Sequence, residues 1–394
     1  MKKSICIILL LLAAVVPRLR AELMDSVRVE FIVCSPGSEI YELEGHSGLR
    51  IYQPGGYDVT FNWGLFDFQS DNFAYRFVKG ETDYLVGAIP TDHFLAYYAG
   101  EGRSVHAHEL NLTAEEKLRL ISAVDENMLP ENRVYRYNYV KDNCSTRPLR
   151  LVEAAVGDTV SATLPDSLQL TTFRRAMDHF HAAYPWYQLG VDIALGSGID
   201  TYAGPRDMMF APVLADVMLP GSTIGDRKLV NRSYYLTGDA ASDATGDPTP
   251  WYLSPLFIMS LLLVIAIVLT VRDIRSIKLS RWFDTVFYSS LFVAGLVVTF
   301  LIFISSHEAT SPNLLLLMFN PLTIIGAVGI WIKRAQSLVF CWQIVNFVAL
   351  ILLLILWLTG PQRFNIAVIL LAVTDLLRSI AYIYVILCRR NRKD

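Results

Sequence analysis

Residues 134–148 read Val134-Tyr135-Arg136-Tyr137-Asn138-Tyr139-Val140-Lys141-Asp142-Asn143-Cys144-Ser145-Thr146-Arg147-Pro148. The aromatic alternation at the start predicts a strand and the polar centre a turn. Pro148, followed by the apolar set Leu149, Leu151, Val152 and Ala155, predicts a helix. Cys144 therefore stands at the positive end of a helix, where a thiolate is stabilised. A thiol becomes a useful nucleophile when an imidazole also takes its proton. The histidine that fits lies far upstream, in Gly45-His46-Ser47-Gly48, where the glycines let the backbone turn tightly. Only folding could bring the two together, which calls for an α+β domain.

Around this pair the sequence offers further parts. A polar group usually orients such a histidine, and Asn62 and Asp67 are the candidates; spacing does not choose between them. The amides of Ser145 and Thr146 at the helix start are positioned to hold an oxyanion. Gly45-His46-Ser47-Gly48 is not a lipase elbow, because Leu49 stands where the last glycine belongs. Cys34 is a rival thiol, but it ends an apolar strand without a following helix and reads as buried. A disulfide between Cys34 and Cys144 would abolish the thiolate, and free thiols are expected here.

The hydrophobic fraction is 53% and the mean hydropathy +0.38, with the excess in the last third of the chain. Five stretches there approach the roughly 20 apolar residues that cross a bilayer: 254–271, 285–305, 313–332, 338–358 and 365–387. The segments after the first, third and fifth carry four, two and four Lys or Arg, and the intervening loops only Arg363. That alternation puts the C-terminus in the cytoplasm and the front half outside it. Lys2 and Lys3 before the apolar run 5–16 mark residues 1–21 as a signal peptide or an N-terminal anchor.

The expected organisation is then an extracytoplasmic domain over 22–235, with its core at about 27–155 and a helical extension at about 156–235. A linker at 236–253, a five-helix membrane bundle over 254–388 and a cytoplasmic basic tail at 389–394 follow. Within the core, 27–34, 49–52 and 59–63 read as strands, the last two joined at Pro54-Gly55-Gly56. Residues 72–79, 92–99 and 113–128 read as helices, the third opened by a Thr113/Glu116 capping box.

Net charge is −3 and no basic run lies outside the membrane flanks, so nucleic acid is not an expected partner. His106, His108 and Glu109 suggest a metal-ligand cluster, but the two-residue spacing of the histidines on a predicted strand more often means one exposed face. His179 and His181 are read in the same way. No CxxC or HExxH occurs, and neither metal nor cofactor is expected. Asp375 and Arg378, one helical turn apart, are expected to pair inside the membrane. Asn320-Pro321 is expected to kink the third span.

With these residues in view the chain resembles the Lnb family of bacterial lipoprotein N-acyltransferases over nearly its whole length. The resemblance rests on Cys34-Ser35-Pro36-Gly37, Gly45-His46, Phe61-Asn62-Trp63-Gly64, Phe66-Asp67-Phe68, Phe77-Val78-Lys79-Gly80, Tyr135-Arg136-Tyr137 and Asp142-Asn143-Cys144-Ser145-Thr146-Arg147. Pro185-Trp186, the run 190–196, Phe210-Ala211-Pro212, His307 and the segment from Pro312-Asn313 to Asn320-Pro321-Leu322 extend it. Phe210-Ala211-Pro212 departs from the more usual Phe-Leu-Pro, and Glu308 stands where a proline is usual. The resemblance implies a circularly permuted papain-like (NlpC-like) thiol domain, as in lecithin retinol acyltransferase, carried on an all-α five-helix bundle in the inner membrane.

It also implies a reaction. An acyl chain passes from a membrane phospholipid, through a thioester on Cys144, to the N-terminal amine of a diacylated lipoprotein, with His46 as acid and base. Asn143, Arg147, Trp63, Lys79 and His307 are the implied substrate-binding residues. Two readings from the residues stay open beside it: an NlpC-like cysteine peptidase or amidase acting on peptidoglycan, and a non-catalytic membrane lipid-binding or scaffold protein.

Overall fold

The computed structural model describes residues 24–67, 69–241 and 245–392; the signal peptide or anchor expected at 1–21 lies outside them. Its described residues divide into two compact units, one built of 24–73, 81–171 and 203–246, the other of 74–80, 172–202 and 247–392.

The first unit grows from an apolar strand. From Val29 to Cys34 every residue of β1 (Arg28–Cys34) is buried, so it is covered on both faces. It lies inside an antiparallel seven-stranded sheet with β2 (His46–Tyr52), β3 (Asp58–Leu65), β4 (Asp83–Pro90), β5 (Val105–Leu110) and β6 (Val134–Arg136). Three short strands, β7 (Val160–Ser161), β8 (Thr223–Ile224) and β9 (Arg227–Lys228), form a second sheet, and β10 (Val230–Thr237) returns to the first. The order is β10-β5-β1-β2-β3-β4-β6. The β2–β3 hairpin turns at Pro54-Gly55-Gly56, with Leu49 opposite Phe61.

Because paired residues share a face, Cys34, Ile32, Val105 and Ala107 pack on one side against Phe94 and Tyr98 of the helix Thr91–Gly100. The larger apolar ones, Ile32, Val105 and Phe94, each contribute about 1.5–3 kcal/mol by leaving water. The helices Ala114–Met128 and Thr146–Val156 pack on each other. The first is opened by the capping box: Thr113 N donates to Glu116 Oε2 at 2.8 Å, and Glu116 N to Thr113 Oγ1 at 3.3 Å.

In the second unit four helices are long and apolar enough to cross a membrane: Pro255–Ser276, Arg281–Phe303, a stretch over Lys333–Thr359, and Ile366–Arg390. The expected third span, 313–332, is not one continuous helix. It breaks into the 3-10 turns Leu314–Leu317 and Pro321–Thr323 and the short helix Ile324–Gly329. The cause is local chemistry. Asn313 Oδ1 accepts from Leu315 N at 3.0 Å and Asn320 Oδ1 from Leu322 N at 3.1 Å, each side chain restarting the chain as a cap. Leu315, Met318 and Phe319 are buried, as irregular backbone at membrane depth requires.

The pairing expected between Asp375 and Arg378 is also corrected. Arg378 reaches Asp284 at 2.6 Å and Asp273 at 2.7 Å, on two other helices, while Asp375 accepts from Asn346 at 2.8 Å. Two carboxylates facing one guanidinium satisfy its planar fork better than a single neighbour on the same helix.

Residues 172–202 join this unit through polar bonds. Arg174 holds Asp192 and Asp200 at 2.9 Å, Asn365 Nδ2 donates to Asp192 Oδ2, and Asn313 Nδ2 donates to the Ile193 carbonyl. The short helix Phe73–Lys79 is bound likewise: Ser306 N donates to the Lys79 carbonyl and His307 Nε2 to the Phe77 carbonyl, both at 2.8 Å.

Candidate active site

The strand before Cys144 is shorter than the aromatic alternation suggests, ending at Arg136, and the helix after the turn starts two residues before Pro148, running Thr146–Val156 and ending on Gly157 in the left-handed conformation. Asn143 makes the turn. Its Oδ1 accepts from the amides of Ser145 at 2.9 Å and Thr146 at 2.8 Å, and its Nδ2 donates to the carbonyls of Tyr139 and Phe210. Asn143 thus caps the start of this helix. The Ser145 and Thr146 amides, expected to hold an oxyanion, have the Asn143 side chain as their acceptor here. Among the described residues the Cys144 amide has no protein acceptor, and it is the donor left at the helix start.

His46 opens β2 after Gly45, whose φ of +78° and a would-be Cβ only 2.5 Å from the Cys34 carbonyl oxygen admit only glycine. Ser47 Oγ donates to the Cys144 carbonyl at 3.0 Å, tying β2 to the cysteine turn. His46 Nε2 lies 2.5 Å from Asn62 Oδ1 on β3. The oxygen accepts, so Nε2 carries the proton and Nδ1 is left for the thiol. Asn62, rather than Asp67, is thus the residue beside the ring. Asp67 Oδ1 instead accepts from the Gln69 amide at 2.8 Å within its own turn.

Burial pushes the Cys144 thiol up, but the His46 charge and hydrogen bond, the Ser47 amide and the Tyr137 hydroxyl outweigh it and hold the thiol below the usual cysteine range. Burial likewise opposes a charged His46 ring; the neighbouring Cys144 thiolate, with the hydrogen bonds to Cys144 and Asn62, raises the ring above the usual histidine range. Against the burial that opposes both charges, each group thus favours the charged form of the other. Tyr137 OH points at Cys144 Sγ from 3.9 Å and its ring stacks on Tyr84 at 4.5 Å. Gly64, at φ +91°, sits in a bulge of β3 beside the Tyr137 ring and the Cys144 Cβ.

Glu44 and Tyr137 were not singled out by the sequence. Burial first, with the Cys144 charge adding and a Tyr139 hydrogen bond opposing, pushes the Glu44 carboxyl up to about 8. Nothing in the local pattern distinguishes this glutamate from its exposed neighbours. Tyr137 carried a signal in the aromatic alternation, but alternation alone does not say which ring faces the turn.

Of the other expected binding residues, Arg147, Lys79 and His307 have partners within the protein. Arg147 grips Asp142 with Nε at 2.9 Å and Nη2 at 3.0 Å and lies 3.7 Å above the Tyr135 ring. Trp63 is fully buried in the sheet. Lys79 and His307 belong to the second unit, where they share the contacts described above.

Beside His46 and Asn62 opens a cavity of about 510 Å³, walled by Leu65, Phe66, Ile89, Phe94, Tyr97 and Tyr98. Arg103 is the cation in its wall, paired with Glu42 at 2.5 Å and lying over Tyr98. An apolar cleft of this size with a few converging polar groups is the usual form of a site for a lipophilic ligand.

No curated protein and no solved structure matches the chain significantly. Two family models do: the Lnb N-terminal periplasmic domain over residues 19–178 and the Lnb transmembrane domain over residues 247–391. A periplasmic domain joined to a transmembrane domain makes an inner-membrane protein and fits a membrane-associated, lipoprotein-modifying enzyme. The chain belongs to the Lnb family.

Proposed function

We propose that this chain is a thiol-dependent lipoprotein N-acyltransferase whose front domain is a permuted papain-like fold, the histidine strand preceding the cysteine helix. The observation that carries the reading is the alignment of Asn62, His46 and Cys144 beside an aromatic cavity. Cys144 thiolate attacks an ester carbonyl of a phospholipid; the carbon–oxygen bond breaks, the leaving alkoxide takes the His46 proton, and a thioester remains. The amine of a diacylated lipoprotein then attacks the thioester. His46 takes the amine proton, the carbon–sulfur bond breaks, and the thiolate returns as the amide forms. The Cys144 amide is the donor nearest the developing oxyanion.

A cytoplasmic C-terminus is part of the proposal. The basic loops support it. It requires an odd number of crossings after the periplasmic domain, so the broken segment 313–332 crosses as well. A C-terminal alkaline phosphatase fusion that is active would sink this arrangement; a fluorescent C-terminal fusion is expected.

The reaction is tested by intact-mass spectrometry of the full chain incubated with phospholipid. Wild type is expected to gain an acyl mass that neutral hydroxylamine removes, and Cys144→Ala is expected to gain none. An adduct that persists in Cys144→Ala overturns the nucleophile. Absence of any adduct, together with Cys144-dependent release of peptidoglycan fragments, favours the peptidase reading.

A further inference from the structure

Alternate residues of a strand face the same side of a sheet, so His106 and His108 of β5 share a face. The expectation was an exposed pair; instead His108 is fully buried and both rings converge on one carboxylate. His106 Nδ1 lies 2.7 Å and His108 Nε2 2.8 Å from Asp216 Oδ1, on the helix Pro212–Met218. One donor atom from each of the three residues lies within 4.8 Å of the others.

The surroundings are built as well. The second nitrogen of His108, Nδ1, is 2.9 Å from Ser233 Oγ on β10, and the His106 ring stacks on Tyr235 at 4.4 Å. A partner on the remote nitrogen is what fixes a ligating histidine. A hydroxyl suits either tautomer, because it both donates and accepts. Asp216 keeps 27% of its side chain exposed and His106 18%, so one side of the cluster is open to water.

We propose that His106, His108 and Asp216 form a divalent-cation site. Two imidazoles and one carboxylate match Zn²⁺, with water in the fourth position. On binding, each ring proton moves to the opposite nitrogen: to His106 Nε2, and to His108 Nδ1, which donates it to Ser233 Oγ. The neutral rings thus accept the cation without net loss of protons.

The ion ties β5 to the helix Pro212–Met218 and, through Ser233, to β10. Its ligands come from β5 and the helix Pro212–Met218, not from β2, β3 or the cysteine turn, so it takes no step in the proposed acyl transfer. His106 lies opposite Val33, which lies opposite Ser47, and Ser47 holds the Cys144 carbonyl. A clamp at one end of that row steadies β2, which carries His46 and holds the cysteine turn through Ser47.

The test uses the full chain in detergent, freed of affinity tag and chelator-treated, titrated with Co²⁺ as the probe. One equivalent is expected to give the visible absorption of a tetrahedral site, abolished by equimolar Zn²⁺. His106→Phe, which retains the stack on Tyr235, is expected to lose the spectrum. Ser233→Ala is expected to weaken Co²⁺ binding about 10- to 100-fold. A wild-type chain that is folded by circular dichroism and takes up no Co²⁺ overturns the site without recourse to any variant. So does a His106→Phe protein that binds Co²⁺ as tightly as wild type.

Discussion

Asn62 Oδ1 and His46 Nε2 stand 2.5 Å apart, on adjacent strands whose register sets Asn62 opposite Gly48. In the proposed reaction this bond keeps the proton on Nε2 and leaves Nδ1 for the thiol, so that Asn62 positions the ring without touching the reacting atoms. Asn62→Ala is expected to slow thioester formation by about 10²-fold or more, the scale on which proton transfer by a positioned base operates. A purely structural role would leave thiol acidity alone. The distinguishing measurement is the pH dependence of Cys144 alkylation: wild type is expected to react below the usual cysteine range, and in Asn62→Ala the midpoint is expected to move upward. An unchanged midpoint rejects the positioning role.

The parts of this site differ in how well the sequence announces them. Strand, turn and helix around Cys144 are local, and their residue types give their order but not their bounds. The choice between Asn62 and Asp67 is not local; it depends on the β2–β3 register, in which Asp67 falls beyond the end of β3. Helix starts usually have free N–H groups, and the residue types do not show that the Asn143 side chain occupies those of Ser145 and Thr146. In the membrane unit, average hydropathy does not register that Asn313 and Asn320 cap from within an apolar run. Nor does helical spacing foresee that carboxylates from two other helices reach Arg378 first.

Glu44 gives the first unit a pH signature. Its carboxyl, pushed up to about 8 by burial, binds a proton in the folded chain that the unfolded chain releases near the ordinary glutamate range. The folded state therefore holds more protons between those two values, and stability falls as pH rises through that window. Glu44→Gln removes the titration. Compared with wild type, it is expected to be more stable above pH 8 by on the order of a few kcal/mol, with the advantage shrinking toward pH 5. Unfolding midpoints of both proteins from pH 5 to pH 9 check this; parallel curves would reject it.

Arg147 is bound to the turn and not to a ligand, which makes a separate prediction. Arg147→Lys keeps the charge but loses the two-pronged grip on Asp142 and the contact over Tyr135. A loss of about 1–3 kcal/mol in stability is expected from the charged hydrogen bonds. The apparent affinity for phospholipid in the surviving folded protein is expected to stay unchanged. A rise in KM at full stability would return Arg147 to the substrate side.

In the membrane unit the pairing of Arg378 with Asp273 and Asp284, and of Asp375 with Asn346, separates two mutations that sequence spacing would treat as equivalent. Arg378→Met leaves two carboxylates buried without a counter-charge, a change that typically costs about 3–5 kcal/mol. Asp375→Asn leaves that ion cluster intact and retains a polar group beside Asn346. The first variant is expected to lose most of its folded yield in detergent and the second to stay near wild type, measured by monodisperse recovery and thermal unfolding. Equal losses in the two would mean that Asp375 and Arg378 depend on each other after all. The double variant Asp273→Asn, Asp284→Asn adds a check: it removes the charges that Arg378→Met would strand, so adding Arg378→Met to it is expected to cost less than in the wild-type background.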